Sequence, residues 1–318
     1  MNFINILNHI LRPLEWVVAQ LLTLFHHALV TFGMTAGPSP AWGIAIMCLV
    51  LVIRICLLPL FLSQMRAMQR IQVLQPQIQR IQHKYAARKD PRSKEAMQRE
   101  IMALQQRYNA NPLGSCLPSL IQAPILCSLF YTLQSLPAIA DGNAEPLGGI
   151  DHTMAGDIES SSIFGVRIAD SFGTVASPQS RIIIGVAVAL MCLTLFAIQW
   201  MLIHRNTSKD AMVSPQFRVQ KMTVFVFPAI YVVSGATLPF GVLLYWLTNN
   251  LWNLGQTLCQ LRWFPTPGSA AGERKARRDY EQDNRRRAAA GLPSLEEERA
   301  MAAREEAKAR REREKSAA

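Results

Sequence analysis

The sequence predicts an all-α polytopic membrane protein: a five-transmembrane-helix core, a cytoplasmic helical hairpin and an N-terminal amphipathic helix lying in the interface. Three observations predict it. Charge is scarce, at 17% of 318 residues, where a soluble domain carries about a quarter. Charge is also absent from long stretches: no Asp, Glu, Lys or Arg occurs in 16–53, 109–140, 182–204 or 222–261. The segments between these runs alternate between basic and acidic, as loops on opposite faces of a membrane do. Together these exclude a soluble globular enzyme and a disordered chain. They also exclude a β-barrel, whose signal is short alternating segments.

The first element is residues 1–33. Placed at 100° per residue, Asn5, Asn8, Arg12, Glu15, Gln20, Thr23, His26 and His27 fall on one arc, and Ile6, Ile10, Leu14, Val17, Leu21 and Phe25 on the other. That segregation predicts a helix in the membrane interface, bent near Pro13. Its stretch 16–32 is also apolar enough for a sixth crossing. With Arg12 as the only early basic residue and polar residues throughout, the segment does not read as a cleaved signal peptide.

The core is residues 41–262. A crossing takes about 20 apolar residues. Ala41–Leu62 fits with one charge inside, Arg54, and Ser115–Leu136 and Ile182–Ile203 fit with none. Residues 222–261 are long enough for two crossings, and Ser234-Gly235-Ala236-Thr237-Leu238-Pro239-Phe240-Gly241 supplies a turn between them. Between the first two spans, 64–108 is patterned as a helical hairpin. Met65, Met68, Gln72, Gln75, Ile78, Ile81 and Tyr85 step by three and four, as do Met97, Ile101, Leu104 and Tyr108, with a Pro-containing turn at 86–93. The remaining element, the tail 263–318, is dominated by Arg, Lys, Glu and Ala. It has no apolar face to pack, so it is expected to be a solvated helix or disordered.

Loop charge gives the orientation. Segment 64–108 carries ten basic and three acidic residues, 204–221 four and one, and 262–318 fifteen and eleven, whereas 138–180 has one and six. The first three are therefore cytoplasmic and 138–180 extracytoplasmic, with the N-terminus outside and the C-terminus inside.

Arg54 is the anomaly. An arginine at a helix centre costs about 2.5–3.5 kcal/mol on insertion scales, and no span holds an Asp or Glu to pair with it. Snorkelling to the headgroups is one answer. A hydrated cavity open to the cytoplasm is the answer the missing countercharge favours. Gln122, Thr194, Gln199, Thr248, Asn249, Asn250, Asn253 and Gln256 are each ordinary interhelical glue, but with Arg54 they could line one wet groove. No HExxH, GxSxG or Walker A sequence and no intramembrane carboxylate pair is present, so no catalytic residue, metal or cofactor is expected. The six cysteines lie in or beside apolar runs without a CxxC pair and read as small buried hydrophobes. In the tail, the clusters Arg274, Lys275, Arg277, Arg278 and Arg285, Arg286, Arg287 would attract RNA phosphate or anionic lipid.

Four segments in this order resemble one family. They are Ile53-Arg54-Ile55-Cys56-Leu57-Leu58-Pro59-Leu60; Gln69-Arg70-Ile71-Gln72-Val73-Leu74-Gln75-Pro76; Asn111-Pro112-Leu113-Gly114-Ser115-Cys116-Leu117-Pro118 with Gln122-Ala123-Pro124-Ile125; and Leu238-Pro239-Phe240-Gly241-Val242-Leu243-Leu244-Tyr245-Trp246 with Asn250-Leu251-Trp252. The chain resembles the YidC-type membrane protein insertases of bacteria, in their short form without a large extracytoplasmic domain. The resemblance covers roughly residues 40–262, and Phe240 departs from the commoner Ala or Ser. It implies a multi-pass protein of the bacterial plasma (inner) membrane that inserts nascent membrane proteins through a groove open to cytoplasm and lipid. It places the groove arginine at Arg54, a polar groove residue at Gln199 and an aromatic substrate contact at Trp246. It also implies contact of the basic tail and hairpin with the ribosome, and work beside the Sec translocon. The competing readings are a small secondary transporter or anion channel with Arg54 as ligand, and a passive scaffold. The odd span count fits inverted repeats poorly.

Overall fold

The computed structural model describes residues 3–87, 90–108, 110, 117–209, 211–213 and 215–317. The Asn111–Cys116 part of the third motif and Arg88-Lys89 of the hairpin turn lie outside the described residues. The chain is almost wholly helical: α1 (Phe3–Thr31), α2 (Pro40–Cys56), α3 (Leu58–Tyr85), α4 (Pro91–Arg107), α5 (Leu117–Ala140), α6 (His152–Ser160), α7 (Pro178–Arg205), α8 (Pro215–Thr237), α9 (Phe240–Trp263), α10 (Ala270–Ala289) and α11 (Leu295–Ala317). The strands β1 (Ser162–Ile163) and β2 (Val166–Arg167) form a minimal antiparallel hairpin.

Among the described residues four helical stretches are long and apolar enough to cross a bilayer: Leu11–Thr31, Gln122–Ala140, Pro178–Arg205 and Phe217–Thr237; a fifth is added if the bent pair α2–α3 counts as one. α9 is long enough but less apolar, because Thr248, Asn249, Asn250, Asn253 and Gln256 punctuate it. It nevertheless occupies the middle of the bundle, packed against α7, α2 and α5. A helix surrounded by other helices can carry polar side chains that a lipid-facing one cannot. Two buried clusters hold the bundle together. One joins Trp42, Ile46 and Leu49 of α2 to Leu129 and Leu133 of α5 and Tyr245 of α9. The other joins Ile184 and Met191 of α7 to Phe240 and Leu243 of α9.

The predicted span Ala41–Leu62 is bent in the structure. α2 ends at Cys56, and α3 continues from Leu58 at 54° to it. Pro59 is the cause: it lacks an amide hydrogen and its ring crowds the carbonyl four residues back, at Ile55. α3 then runs unbroken into the hairpin, so span and hairpin share a rod. The hairpin seam joins Ile71, Leu74 and Ile78 to Ile101 and Leu104. It thus begins on Ile71 and Leu74, while Met68 is left exposed. Asp90 caps α4 by accepting from the Ser93 amide at 2.9 Å. A Lys84–Glu100 ion pair at 2.9 Å crosses the hairpin near its tip.

α1 packs along α2 and α5. Its buried side includes Leu11, Val18, Ala19 and Leu22, but also Thr23 and His26 from the polar arc, while Val17 of the apolar arc, and Leu24, face outward. His26 stacks on Trp42 with ring centroids 3.8 Å apart, which gives a polar ring a flat partner inside the packing. Helix contact, rather than the polar–apolar division, sets which face is turned inward. Pro13 lies inside α1.

Segment 138–180 is a folded cap. Ile150, Ile158 and Ile168 enter the main cluster, and Ile163 and Val166 the second. The cap is stitched to the starts of two helices, α2 and α9. The Ser39 amide donates to Ser161 Oγ at 3.0 Å, the Phe240 amide to the Asp170 carbonyl at 2.7 Å, and the Gly241 amide to the Ile168 carbonyl at 2.9 Å. At the other end of the bundle lie the α3–α4 hairpin and the tail. The linker after α9 is held there by Gln69 Nε2, which donates to the Phe264 and Pro265 carbonyls at 2.5 and 3.2 Å, and by Asn206 Oδ1, which accepts from the Thr266 amide at 2.9 Å. The tail forms two helices. α10 contacts α9 and α7, and α11 folds back through Arg287–Glu298 at 2.6 Å.

Contrary to the buried-cysteine expectation, Cys56, Cys127 and Cys259 lie on outward faces. In a bundle bathed in lipid an outward thiol is still in an apolar medium, so the hydrophobic pattern of the sequence does not distinguish the two.

Candidate functional site

The bend at Leu57 opens a groove of about 460 Å³ toward the hairpin end of the bundle. Three walls supply its side chains. Arg54, Leu57, Phe61 and Gln64 come from the bent α2–α3 rod, Gln122 and Leu126 from α5, and Asn249, Asn253 and Gln256 from α9. The α9 spacing of four and three puts its three amides on one stripe, and Tyr245 is one turn earlier on the same stripe.

Arg54 is held by a neutral partner. Its Nε donates to Asn249 Oδ1 at 2.8 Å, and Nη2 donates to the same oxygen. No carboxylate among the described residues forms an ion pair with it. An amide oxygen satisfies donors without cancelling the charge, so the guanidinium keeps its full positive field in a half-buried setting. Gln122 Nε2 donates to the Tyr245 hydroxyl, bridging α5 and α9 across the blind end of the groove. Above that bridge the space is filled by the buried side chains Ile46, Leu49, Leu129, Leu133 and Val242. The groove is therefore polar and open toward the hairpin, and sealed by apolar packing toward the cap.

The structure brings together Arg54, Gln122, Asn249, Asn253 and Gln256 of the sequence-derived polar residues, and adds Gln64. Thr194, Gln199, Trp246 and Asn250 do not line this groove. Thr194 Oγ1 bonds back to the Leu190 and Met191 carbonyls of its own helix at 2.8 and 3.0 Å. Asn250 is buried and turned out of the groove toward α8, where its Oδ1 accepts from the Tyr231 hydroxyl at 3.4 Å. Trp246 stacks on Tyr231, centroids 5.0 Å apart, in the α8–α9 seam, and Gln199 lies half-buried on α7. Of the tail residues, Arg274, Arg277 and Arg278 gather under α9, Lys275 pairs with Asp279, Arg287 with Glu298, and Arg285 and Arg286 are exposed.

This arrangement of a cationic groove, a bent rod leading into a hairpin and a sealing cap sits within a stretch that also matches known proteins. Residues 34–266 match the family described as 60Kd inner membrane protein. The chain belongs to the 60Kd inner membrane protein family. The family's stretch begins just before α2 and ends just after α9, so it contains the groove, the hairpin and the cap, and excludes α1 and the tail helices. Curated relatives carry the name membrane protein insertase YidC. The one from Bifidobacterium longum is 44% identical over 308 residues, covering 96% of this chain and 91% of its own length. That from Streptomyces avermitilis is 34% identical over 276 residues, 84% of this chain and 61% of the relative. That from Tropheryma whipplei is 30% identical over 284 residues, 86% and 90%. The B. longum match extends beyond the family stretch, so α1 or the tail is shared with it. Membership and the apolar helices together make this a multi-pass inner membrane protein of the 60Kd family.

Proposed function

We propose that this chain inserts nascent membrane proteins and helps them fold, using the Arg54 groove as the entry for the polar end of an arriving segment. The observation that carries the reading is the uncompensated guanidinium in a groove that is polar at one end and closed at the other. A hydrated groove shortens the apolar barrier a polar end must cross. Arg54 attracts acidic residues of that end while it is in transit. Transfer of the following apolar helix into lipid, worth about 25 cal/mol per Å², then draws the segment out sideways. The step needs no nucleotide.

In this reading the hairpin and tail are cytoplasmic and the cap lies outside, in keeping with the loop charges, and the N-terminus is outside because α1 lies in the interface at the outer leaflet. The ribosome would meet the basic hairpin and tail, and the Sec translocon and surrounding lipid would be the neighbours in the membrane. The reading is tested with the purified chain in liposomes, supplied with a ribosome-stalled two-span substrate. Protease-protected insertion above the level of empty liposomes is expected. Solute or anion flux without insertion would instead support a channel, with Arg54 as its ligand.

A further inference from the structure

A second recess carries more positive charge than the described residues balance. It lies where α7 and α9 end and α10 crosses beneath them, with a volume of about 460 Å³. Five arginines face it: Arg205 from α7, Arg262 from α9, and Arg274, Arg277 and Arg278 from α10. Its one acidic lining residue, Glu281, already accepts from Arg277 Nε at 3.0 Å. Among the described residues Arg205, Arg262, Arg274 and Arg278 pair with no carboxylate. Arg278 Nε is buried with no hydrogen-bond partner there, although its Nη2 donates to the Arg262 carbonyl at 3.1 Å. Four unpaired guanidiniums around one recess repel each other, and an orphaned buried donor is costly. Both defects are cured by one anion.

The rest of the lining says which anion. Leu258 and Leu261 form an apolar wall, and Leu258 is 51% exposed. Trp263 and Phe264 stand exposed just beyond it, at the end of a bundle helix, where aromatic side chains mark the headgroup level of a bilayer. A phosphate on RNA has no use for an apolar wall, whereas a phospholipid presents a phosphate and an acyl chain side by side. We propose that the recess binds an anionic phospholipid, its phosphate among Arg205, Arg262, Arg274 and Arg278 and its first acyl carbons against Leu258 and Leu261. The proposal rests on the membrane orientation given above only for which leaflet supplies the lipid. Occupancy clamps α10 to the membrane surface and leaves Arg285 and Arg286, exposed farther along the same helix, outside the recess.

The test is phosphatidylglycerol binding to the purified full chain, followed by native mass spectrometry, with phosphatidylcholine as the neutral comparison. The variant is Arg205→Gln/Arg262→Gln/Arg274→Gln, whose three side chains donate no hydrogen bond among the described residues. The control, Arg299→Gln/Arg304→Gln/Lys308→Gln on α11, removes the same charge elsewhere. At roughly fivefold per arginine near a membrane surface, the recess variant should lose at least about tenfold in phosphatidylglycerol affinity and the control less than about twofold. Equal losses in both variants would mean diffuse charge and overturn the site, as would phosphatidylcholine binding as tightly as phosphatidylglycerol. A short RNA oligonucleotide whose binding collapses in the recess variant, with lipid binding intact, would reassign the recess to nucleic acid. Lipid occupancy is read without any client protein, so its failure and a failure of the insertase reading are seen in separate assays.

Discussion

A charge inside an apolar run is conspicuous, so Arg54 was legible as the centre of the site from sequence alone. Its partner was not. Asn249 lies 195 residues away, and nothing in either local sequence distinguishes it from Asn250 or Asn253. Helix geometry and packing make the choice: Asn249 and Asn253 line the groove, and Asn250, about 100° round the helix from Asn249, bonds to Tyr231 of α8. The partner's neutrality is what leaves the groove its field. At about 10 Å and an effective dielectric near 20, a unit charge pair is worth about 1.7 kcal/mol. Arg54→Ala should therefore slow insertion of a substrate with an acidic translocated end by about tenfold, while Arg54→Lys keeps most of the rate. Insertion assays on substrates matched except for that end would read it, and an equal loss for neutral ends would point to damaged packing instead. A second arm uses photo-crosslinkers at Asn253 and Gln199 with a stalled nascent chain. Capture is expected at Asn253, which lines the groove. Capture at Gln199 alone would move the path to the α7 face.

At the level of elements, the runs without charge located the bundle helices, and the three-and-four spacing located the hairpin. The bend at Leu57 was missed although Pro59 was in plain view, because a proline near the end of a span also suits a simple stop. The cap was missed for a different reason. Its isoleucines are scattered through a short acidic loop, and only the bundle beneath gives them something to pack on. At Gly241 cap and bundle meet closely. A Cβ there would lie 2.7 Å from Ile168 Cγ2 and 3.1 Å from Leu133 Cδ1. Overpacking of this kind costs about 1–3 kcal/mol, so Gly241→Ala should lower the Tm of the detergent-solubilised protein by several degrees. Gly185→Ala on α7 is the matched comparison, since a Cβ there meets nothing within 4 Å. It should leave the Tm unchanged or raise it slightly, as alanine is the better helix former. A Tm drop of the same size at both positions would remove close approach as the explanation for Gly241.

On the scale of the whole molecule, the net charge of +11 is concentrated at one end of the bundle. The hairpin segment 64–108 has ten basic and three acidic residues. The tail divides in two. Residues 270–290, the α10 region, hold seven basic and four acidic side chains, whereas 291–318, the α11 region, hold seven of each. α11 is thus electrically balanced along its length, and a polyanion should be attracted by the hairpin and by α10. On α10, Arg285 and Arg286 are exposed and unpaired among the described residues. Truncation after Ala290 should accordingly leave ribosome co-sedimentation within about twofold of the full chain. Truncation after Trp263 should weaken it clearly and reduce its dependence on salt, because fewer phosphates are neutralised. Residual, still salt-sensitive binding in the shorter protein is the share owed to the hairpin. If truncation after Ala290 already abolishes binding, sequence-specific contacts of α11 outweigh its neutrality. If truncation after Trp263 changes nothing, the tail takes no part in ribosome contact and its basic residues act on the membrane alone.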